Sequence, residues 1–336
     1  MAKILVTGGL GFIGSHTVVE LQNKGFEVVI IDNLSNTTIA VLDNITSITG
    51  VKPEYVNLDL RVEEDVKRFF DNRKIDGVIH FAAYKAVGES VNNPLDYYKN
   101  NLNTLVYLLE ELRVRKIENF IFSSSCTVYG QADKLPITEK APVKPAESPY
   151  GYSKQVGEII IRDTCKAYGL NAIALRYFNP IGAHASIKIG ELPIGVPQNL
   201  IPFITQTAAG IREELSVYGD DYPTSDGTAV RDYIHVVDLA KAHIAALNRL
   251  IEKRNKEKYE YFNVGTGTGS SVLEVIKAFE KASGSPLKYK IVGRREGDIT
   301  SAYADTSIAN KELNWKTELT LDEALDSAWK WQKSQV

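Results

Sequence analysis

Cysteine is scarce. Cys126 and Cys165 are the two cysteines among 336 residues, which excludes a disulfide framework, and neither stands in a CxxC pair or a Cys/His cluster of the kind that holds structural zinc. The five histidines (His16, His80, His184, His235 and His243) form no HxxH-type pair, so no metal site is expected. An excess of one charge is also missing. The 39 basic and 42 acidic residues leave a net charge of −3, too weak a field to favour nucleic acid or an anionic membrane. No apolar run approaches the roughly 20 residues that cross a bilayer. The N-terminal MAKILVTGG runs straight into a strand pattern, with no charged n-region, apolar h-region or cleavage site. These absences lead to the expectation of a soluble cytoplasmic protein with no nucleic-acid and no membrane partner. The charge run EKRNKEK at 252–258 fits a solvated helix end or loop.

Apolar segments of strand length do occur, at regular intervals. KILVTGG, EVVIIDN, PEYVNLD, DGVIHFAA, ENFIFSSS and NAIALRYF are short, rich in Val, Ile, Phe or Tyr, and bounded by polar or turn residues, so each reads as a buried strand. Helix-length segments separate them: FIGSHTVVELQNKG, EEDVKRFFDNRK, PLDYYKNNLNTLVYLLEELRVR and YGYSKQVGEIIIRDTCKAYG. Alternation of this kind implies βαβ units and an α/β fold, a Rossmann-type doubly wound parallel sheet covered on both faces. Beyond about residue 180 the pattern loosens. NPIGAHASIKIGELPIGVPQN and GDDYPTSDGTAVRDY read as long loops, uncommon unless they bind something, and helices return near 236–252, 271–283 and 320–333. The expected organisation is a nucleotide-binding domain over 1–180 and a smaller mixed α/β substrate domain over 181–336. Some elements of the second, such as 233–264, are expected to pack back on the first.

VTGGLGFIG follows the first strand and opens a helix. Gly8 permits the tight turn, Gly11 lets backbone approach a pyrophosphate, and Gly14 lets helix and strand pack closely. The phosphates then meet a helix N-terminus, where free N–H groups and the dipole favour anions. Asp32 ends the second strand at about the 20-residue distance this pattern demands. Its carboxylate would accept from adenosine ribose hydroxyls and repel a 2′-phosphate, favouring NAD over NADP. Asp59, read at the end of the third strand, can accept from an adenine amino group or serve as a plain loop carboxylate; spacing does not choose.

SPYGYSK at 148–154 offers two tyrosines and one lysine. Residues four apart share a helix face and residues two apart do not, so Tyr150 faces Lys154 and Tyr152 points elsewhere. An ammonium beside a phenol lowers the phenol's pKa from its usual value near ~10, which would make Tyr150 a usable base. The same spacing occurs in ordinary surface pairs. A hydroxyl from Ser123, Ser124 or Ser125, at the carboxyl end of the preceding strand, can hydrogen-bond a substrate hydroxyl and relay its proton. Glycine loop, serine and YxxxK in this order resemble the extended short-chain dehydrogenase/reductase family.

Within that family the motifs HFAAYKAVGESV, SSSCTVYG, SPYGYSK, LRYFNPIGAH, GDDYPTSDGTAVRDYIHVVDLA and RREGD are similar to the UDP-glucose 4-epimerase group, across nearly the whole chain. The resemblance implies a catalytic set of Ser125, Tyr150 and Lys154. It adds Phe12, Ile13, Asn33, Asn36, Leu60, Phe81, Ala82, Lys85, Asn100 and Phe178 to Asp32 and Asp59 in an NAD shell. It implies a UDP-sugar shell of Asn179, Asn199, Leu200, Ser216, Tyr218, Arg231, Tyr233, Arg295 and Asp298. The implied reaction takes the proton from a sugar 4-hydroxyl with Tyr150, aided by Ser125, passes the C4 hydrogen to NAD, turns the keto sugar while UDP stays anchored, and returns the hydrogen to the other face. Arg231 and Arg295 offer forks suited to a diphosphate. The residues after Ser125 are Cys126, Thr127 and Val128, so no acid stands there for elimination, and Cys126 is expected only to pack. Ala302 occupies a position where group members restricted to plain hexoses can carry a bulky aromatic, so N-acetylated sugars are expected to fit as well. The resemblance also implies a homodimer, paired through helices 94–115 and 150–168. A UDP-glucuronate 4-epimerase, with Lys85 near C6, and a non-catalytic dinucleotide sensor are the rival readings; an intact Ser125, Tyr150 and Lys154 weighs against the second.

Overall fold

The computed structural model describes residues 2–336 apart from Asn72, Glu296 and Gly297. Its centre is a parallel sheet of seven strands: β1 (Lys3–Thr7), β2 (Glu27–Asp32), β3 (Glu54–Asn57), β4 (Gly77–His80), β5 (Asn119–Ser123), β6 (Asn171–Tyr177) and β11 (Tyr259–Val264). Their spatial order is β11-β6-β5-β4-β1-β2-β3. Alternate residues of one strand serve opposite faces. Ile4 and Val6 pack with Val18, Val19 and Leu21 of helix Phe12–Asn23 and with Leu239, Ala242 and Ala246 of helix Val236–Ile251. Leu5 and Val29 face the other way, onto Phe69 and Phe70, Leu105 and Leu108, and Ile161. Both faces are thus buried, which is why the strands read as continuous apolar runs rather than alternating ones.

The strand order reverses between β1 and β4, where Thr7 Oγ1 lies 2.8 Å from His80 Nδ1. Ligands of doubly wound sheets sit beyond the strand ends at such a point. Within 233–264, a segment expected to pack back on the first half, the strand β11 itself was not singled out in the sequence, nor was a break in the helix 94–115. The strand β11 comes from the second half of the chain and pairs with β6 along its whole length, from Tyr259↔Ala172 to Val264↔Tyr177. The expected helix 94–115 contains a π turn at Lys99–Asn103 between helices Pro94–Tyr98 and Thr104–Arg115, a feature common at functional sites. It turns Asn101 inward, where Oδ1 accepts from Tyr84 N at 2.8 Å and Nδ2 donates to Ser153 Oγ at 3.0 Å. A helix at Ala40–Thr49 was also not expected.

The second half builds small sheets around its own core of Ile181, Ile204, Val217, Ile276, Phe279 and Leu325. β7 (Asn179–Ile181) pairs with β10 (Tyr233–His235). β9 (Val230–Arg231) lies between β12 (Ser270–Ser271) and β14 (Ser301–Ala302), and β8 (Leu215–Tyr218) pairs with β13 (Tyr289–Val292). Among the described residues no helix is long and apolar enough to cross a membrane.

Candidate active site

The glycine loop is built on contacts that admit no side chain. Gly8 holds φ +68°, and a Cβ there would lie 2.9 Å from Ala82 N. A Cβ on Gly14 would stand 2.1 Å from Gly8 O. Gly11 caps helix Phe12–Asn23 with no side-chain bond to its first-turn N–H groups, leaving them directed at whatever anion approaches. Asp32, at the end of β2, accepts from Leu10 N (3.1 Å) and Leu34 N (3.0 Å). Burial pushes its carboxyl up, and those two N–H groups oppose the rise. Gly8, Gly11, Phe12, Ile13, Gly14, Asp32, Asn33, Asn36, Asp59, Leu60, Phe81, Ala82, Lys85 and Asn100 line one cleft, whose far end is formed by Tyr150 and Lys154.

Two placements differ from the sequence reading. β3 ends at Asn57, so Asp59 stands in the following turn rather than on the strand. There Arg61 Nη2 grips it at 2.6 Å and holds its carboxyl below the usual range, the hydrogen bond outweighing burial. Phe178 is absent from the cleft wall; it packs with Val128, Tyr129, Ile137, Ala302 and Ala304 beneath it, since β6 ends at Tyr177 and the next side chain turns to the opposite face.

The reactive end is set by helix Pro149–Tyr168. Ser148 Oγ accepts from Gly151 N at 3.1 Å and Pro149 takes the first helical position, both strong start signals. The first turn therefore delivers Tyr150 into the cleft, 7% exposed, while Tyr152 is 51% exposed on the outer face. Lys154 Nζ donates to Ser123 O at 2.8 Å and lies 4.9 Å from the Phe122 ring and 5.8 Å from the Tyr150 ring. Ser125 Oγ caps the short turn Cys126–Tyr129 by accepting from Thr127 N at 3.2 Å and stands against the Tyr150 phenol. Tyr177, which the sequence did not single out, lines the same end, its hydroxyl 2.7 Å from Ser123 Oγ. It lies within LRYFNPIGAH, but only the fold brings its hydroxyl to the serines at the end of β5.

Electrostatics here correct the expectation that Lys154 lowers the Tyr150 pKa. Burial, joined by the neighbouring Tyr177, raises the phenol well above its ordinary value, and the Ser125 hydroxyl pulls weakly the other way. The reason is that the protein shell offers a phenolate little solvation, and the Lys154 ammonium is spent on a backbone carbonyl. Lys154 is itself drawn down by burial to about 8, with Glu158 acting in the opposite sense.

The residues assigned to a UDP-sugar fall into two groups. In the first, β7 and β10 set Asn179 opposite Tyr233, and β14 and β9 set Ala302 opposite Arg231. Arg231 Nη2 lies 3.8 Å, and Arg295 Nη2 2.8 Å, from Asp298 Oδ1, and Arg295 sits 5.6 Å from the Tyr218 ring centroid. Ser216 lies two residues before Tyr218 on β8, hence on the same side of that strand. In the second, Asn199 Nδ2 donates to Glu191 Oε1 (2.6 Å), which also receives Lys85 Nζ (3.3 Å), and Leu200 begins the adjoining helix. Ala302 is 2% exposed in the cluster that holds Val128 and Phe178. Among the described residues no cluster of His, Cys, Asp and Glu could hold a metal ion.

A glycine loop at the switch point of a seven-stranded parallel sheet, with serine, tyrosine and lysine at the cleft's other end, defines an α/β enzyme of the short-chain dehydrogenase/reductase type. The model of the family described as GDP-mannose 4,6 dehydratase matches residues 5–328. The UDP-glucose 4-epimerase of Mus musculus is 50% identical over 99% of this chain and 97% of its own length; that of Bacillus subtilis (strain 168) is 49% identical over 99% and 97%. The crystal structure of UDP-glucose 4-epimerase from Bifidobacterium longum, in complex with NAD+ and UDP, superposes with a TM-score of 0.95 at 49% identity, covering 99% of this chain and 98% of that one. The corresponding structure from Stenotrophomonas maltophila, with bound NAD and formylated UDP-arabinopyranose, gives 0.96 at 46%, covering 100% and 99%. The chain belongs to the UDP-glucose 4-epimerase family, a branch of the extended short-chain dehydrogenases/reductases.

Proposed function

We propose that this chain interconverts UDP-glucose and UDP-galactose by inverting C4 of the hexose, with NAD held in the glycine-loop cleft. The observation that carries the reading is the placement of Tyr150 and Lys154 at the end of that cleft, in a chain about half identical to UDP-glucose 4-epimerases along its full length. The cradle fits a dinucleotide: Gly8 and Gly14 leave no space for a Cβ, the first-turn N–H groups are uncapped, and Asp32 keeps lone pairs for ribose hydroxyls. Bound NAD supplies the group that takes hydrogen from C4 and gives it back. The chain's own residues do the rest. Tyr150 holds or releases the proton of the sugar 4-oxygen, Ser125 donates to that oxygen, and Lys154 offers an ammonium for the nicotinamide ribose. Arg231 and Arg295, both resting on Asp298, can turn their forks to a diphosphate. Anchoring the diphosphate while leaving the hexose loosely held is what allows the keto sugar to present its other face.

Elimination is disfavoured although the matching family model carries a dehydratase's name, because Cys126, Thr127 and Val128 follow Ser125 and none is acidic. A uronate would have to draw Lys85, the cation it would need, away from Glu191, which it meets at 3.3 Å. The test is to mix purified protein with UDP-galactose, adding no nicotinamide, and follow the anomeric protons by NMR. Appearance of UDP-glucose is expected. No conversion even after NAD is added would overturn the reading.

The range of sugars extends the proposal. We propose from the small size of Ala302 that UDP-GlcNAc and UDP-GalNAc are substrates as well; the residue is set opposite Arg231 by the β14–β9 pairing and packs against Val128 and Phe178. Ala302→Tyr lowers kcat/KM for the acetylated sugars by at least about tenfold, roughly 1.4 kcal/mol, and spares the plain ones. Equal loss on both classes sinks the idea. We also propose cytoplasmic placement and a homodimer formed through the two helices that carry Leu95, 70% exposed, and Tyr152 and Ile159, about half exposed. Light scattering on the eluted protein should give twice the 37.3 kDa chain mass; a monomer at micromolar concentration counts against it.

A further inference from the structure

Behind the reactive end lies a buried ion pair that does not line the cleft. Glu158, one helical turn past Lys154, accepts from Ser124 Oγ at 2.6 Å and from Arg176 Nε and Nη2 at 2.9 and 2.5 Å. The two side chains are 9% and 6% exposed. Arg176, on β6, continues to the Tyr129 hydroxyl at 3.0 Å, and Tyr129 to Asn263 Oδ1 at 2.7 Å. An ion pair taken out of water adds little to stability, and apolar replacements of similar size are often neutral or better. Stability therefore does not account for its presence.

Its position does. Ser123, Ser124 and Ser125 run consecutively from the end of β5. The carbonyl of Ser123 receives Lys154, and the hydroxyl of Ser125 stands against Tyr150. The serine between them is fastened by Glu158 to the same helix that carries Tyr150 and Lys154. The carboxylate thus ties that helix to the strand end that presents the catalytic hydroxyl. It also faces Lys154 electrically. The other titratable groups around that ammonium are His80 from β4, Tyr177 from β6 beyond Ser123, and Tyr150 on its own helix. His80 is buried and drawn down to about 3, first by burial and then by Lys154 itself. None of these supplies negative charge, and Glu158 alone holds Lys154 up against burial.

We propose that Glu158, locked in place by Arg176, is a positioning residue for the reaction: it fixes Ser124, and with it the spacing of Ser125 from Tyr150, and it provides the negative charge that Lys154 faces. The inference rests on the functional reading of Ser125, Tyr150 and Lys154 given above. Two variants test it, Glu158→Gln and the paired change Glu158→Leu with Arg176→Met. The first removes the charge and leaves Arg176 unpaired; the second removes both charges and the Ser124 acceptor while keeping an apolar fill. The readouts are the 13Cε titration of Lys154 in lysine-labelled protein and the pH profile of kcat with UDP-galactose.

Glu158→Gln should move the Lys154 midpoint down by about one pH unit or more, and the alkaline limb of kcat should follow it. The paired variant should recover much of that midpoint, because Arg176's charge leaves with its partner's, yet keep a kcat at least about tenfold low with little change in KM, the mark of lost alignment rather than lost binding. If Glu158→Gln does not fold, the paired variant decides alone. An unmoved Lys154 midpoint in Glu158→Gln, or wild-type kcat in the paired variant, overturns the inference. Absence of turnover in the unaltered protein would overturn the functional reading instead, and the lysine titration would still decide whether Glu158 acts on Lys154.

Discussion

Tyr150→Phe should lower kcat for UDP-galactose by about 10²–10⁴-fold, the usual share of a positioned acid–base group, while the protein folds and keeps its NAD. The ring of Tyr150 packs at 7% exposure, and phenylalanine keeps that packing, so the change removes only the hydroxyl. Cofactor retention should persist because the glycine loop, Asp32 and Asn36 hold the other end of the cleft. The unaltered enzyme should also lose activity as pH falls, since burial raises the phenol and its base form becomes scarcer with each added proton. At the alkaline side, Lys154 titrates near 8, and loss of its proton removes the ammonium that stands by the phenol. Turnover is thus bounded by two groups that burial pushes apart, the tyrosine upward and the lysine downward, the tyrosine protonated too readily and the lysine too weakly. NAD content by absorbance and kcat by NMR check the variant. Retention of more than a tenth of the wild-type rate would remove Tyr150 from its role.

Gly14→Ala should strip the protein of NAD during purification. The added Cβ would meet Gly8 O at 2.1 Å and Gly9 Cα at 2.9 Å. Both are backbone atoms of the phosphate loop, so no side-chain rotation relieves the clash. Overpacking of this kind costs about 1–3 kcal/mol in stability, and the loop that moves to absorb it is the one that must cradle the pyrophosphate. Gly88→Ala is the control. A Cβ there meets nothing within 4 Å, and it sits in helix Val87–Asn92, where alanine is favoured by up to about 1 kcal/mol. Absorbance at 260 nm and melting temperature together decide the matter. Equal NAD content in both variants would show that the loop tolerates displacement and that Gly14 serves another purpose.

Much of this was legible in the chain. Glycines followed by a helix, an acid at the end of β2, and a tyrosine and lysine four apart are local patterns, and local geometry alone brings their residues to the sheet's carboxyl edge. What escaped notice depends on distant segments. YEYFNV, the seventh strand, lies in the loop-rich half behind a charged run, and nothing local shows that β6 is its partner. Ala40–Thr49 is a helix despite Thr, Asn and β-branched residues that favour other conformations, because Leu42 and Ile45 reach the core. Tyr177 and Arg176 reach the catalytic serines through the β5–β6 pairing, and Glu158 reaches Ser124 through the packing of helix Pro149–Tyr168 on the sheet. The burial of Tyr150, which opposes the pull of a charge partner on its pKa, was missed because the sequence displays charge partners and conceals desolvation.

The late strand β11 sets a schedule for synthesis. A ribosome releases β6 as an open sheet edge, and the strand that closes it is not made until the chain has passed Val264. Through that interval the nascent first half presents unpaired N–H and C=O groups along Asn171–Tyr177, a template for another chain. A fragment cut at residue 180 would carry that edge permanently, so it should be recovered as aggregate rather than as a free cofactor-binding module, and separating the two halves by expression should fail where mutation of either succeeds.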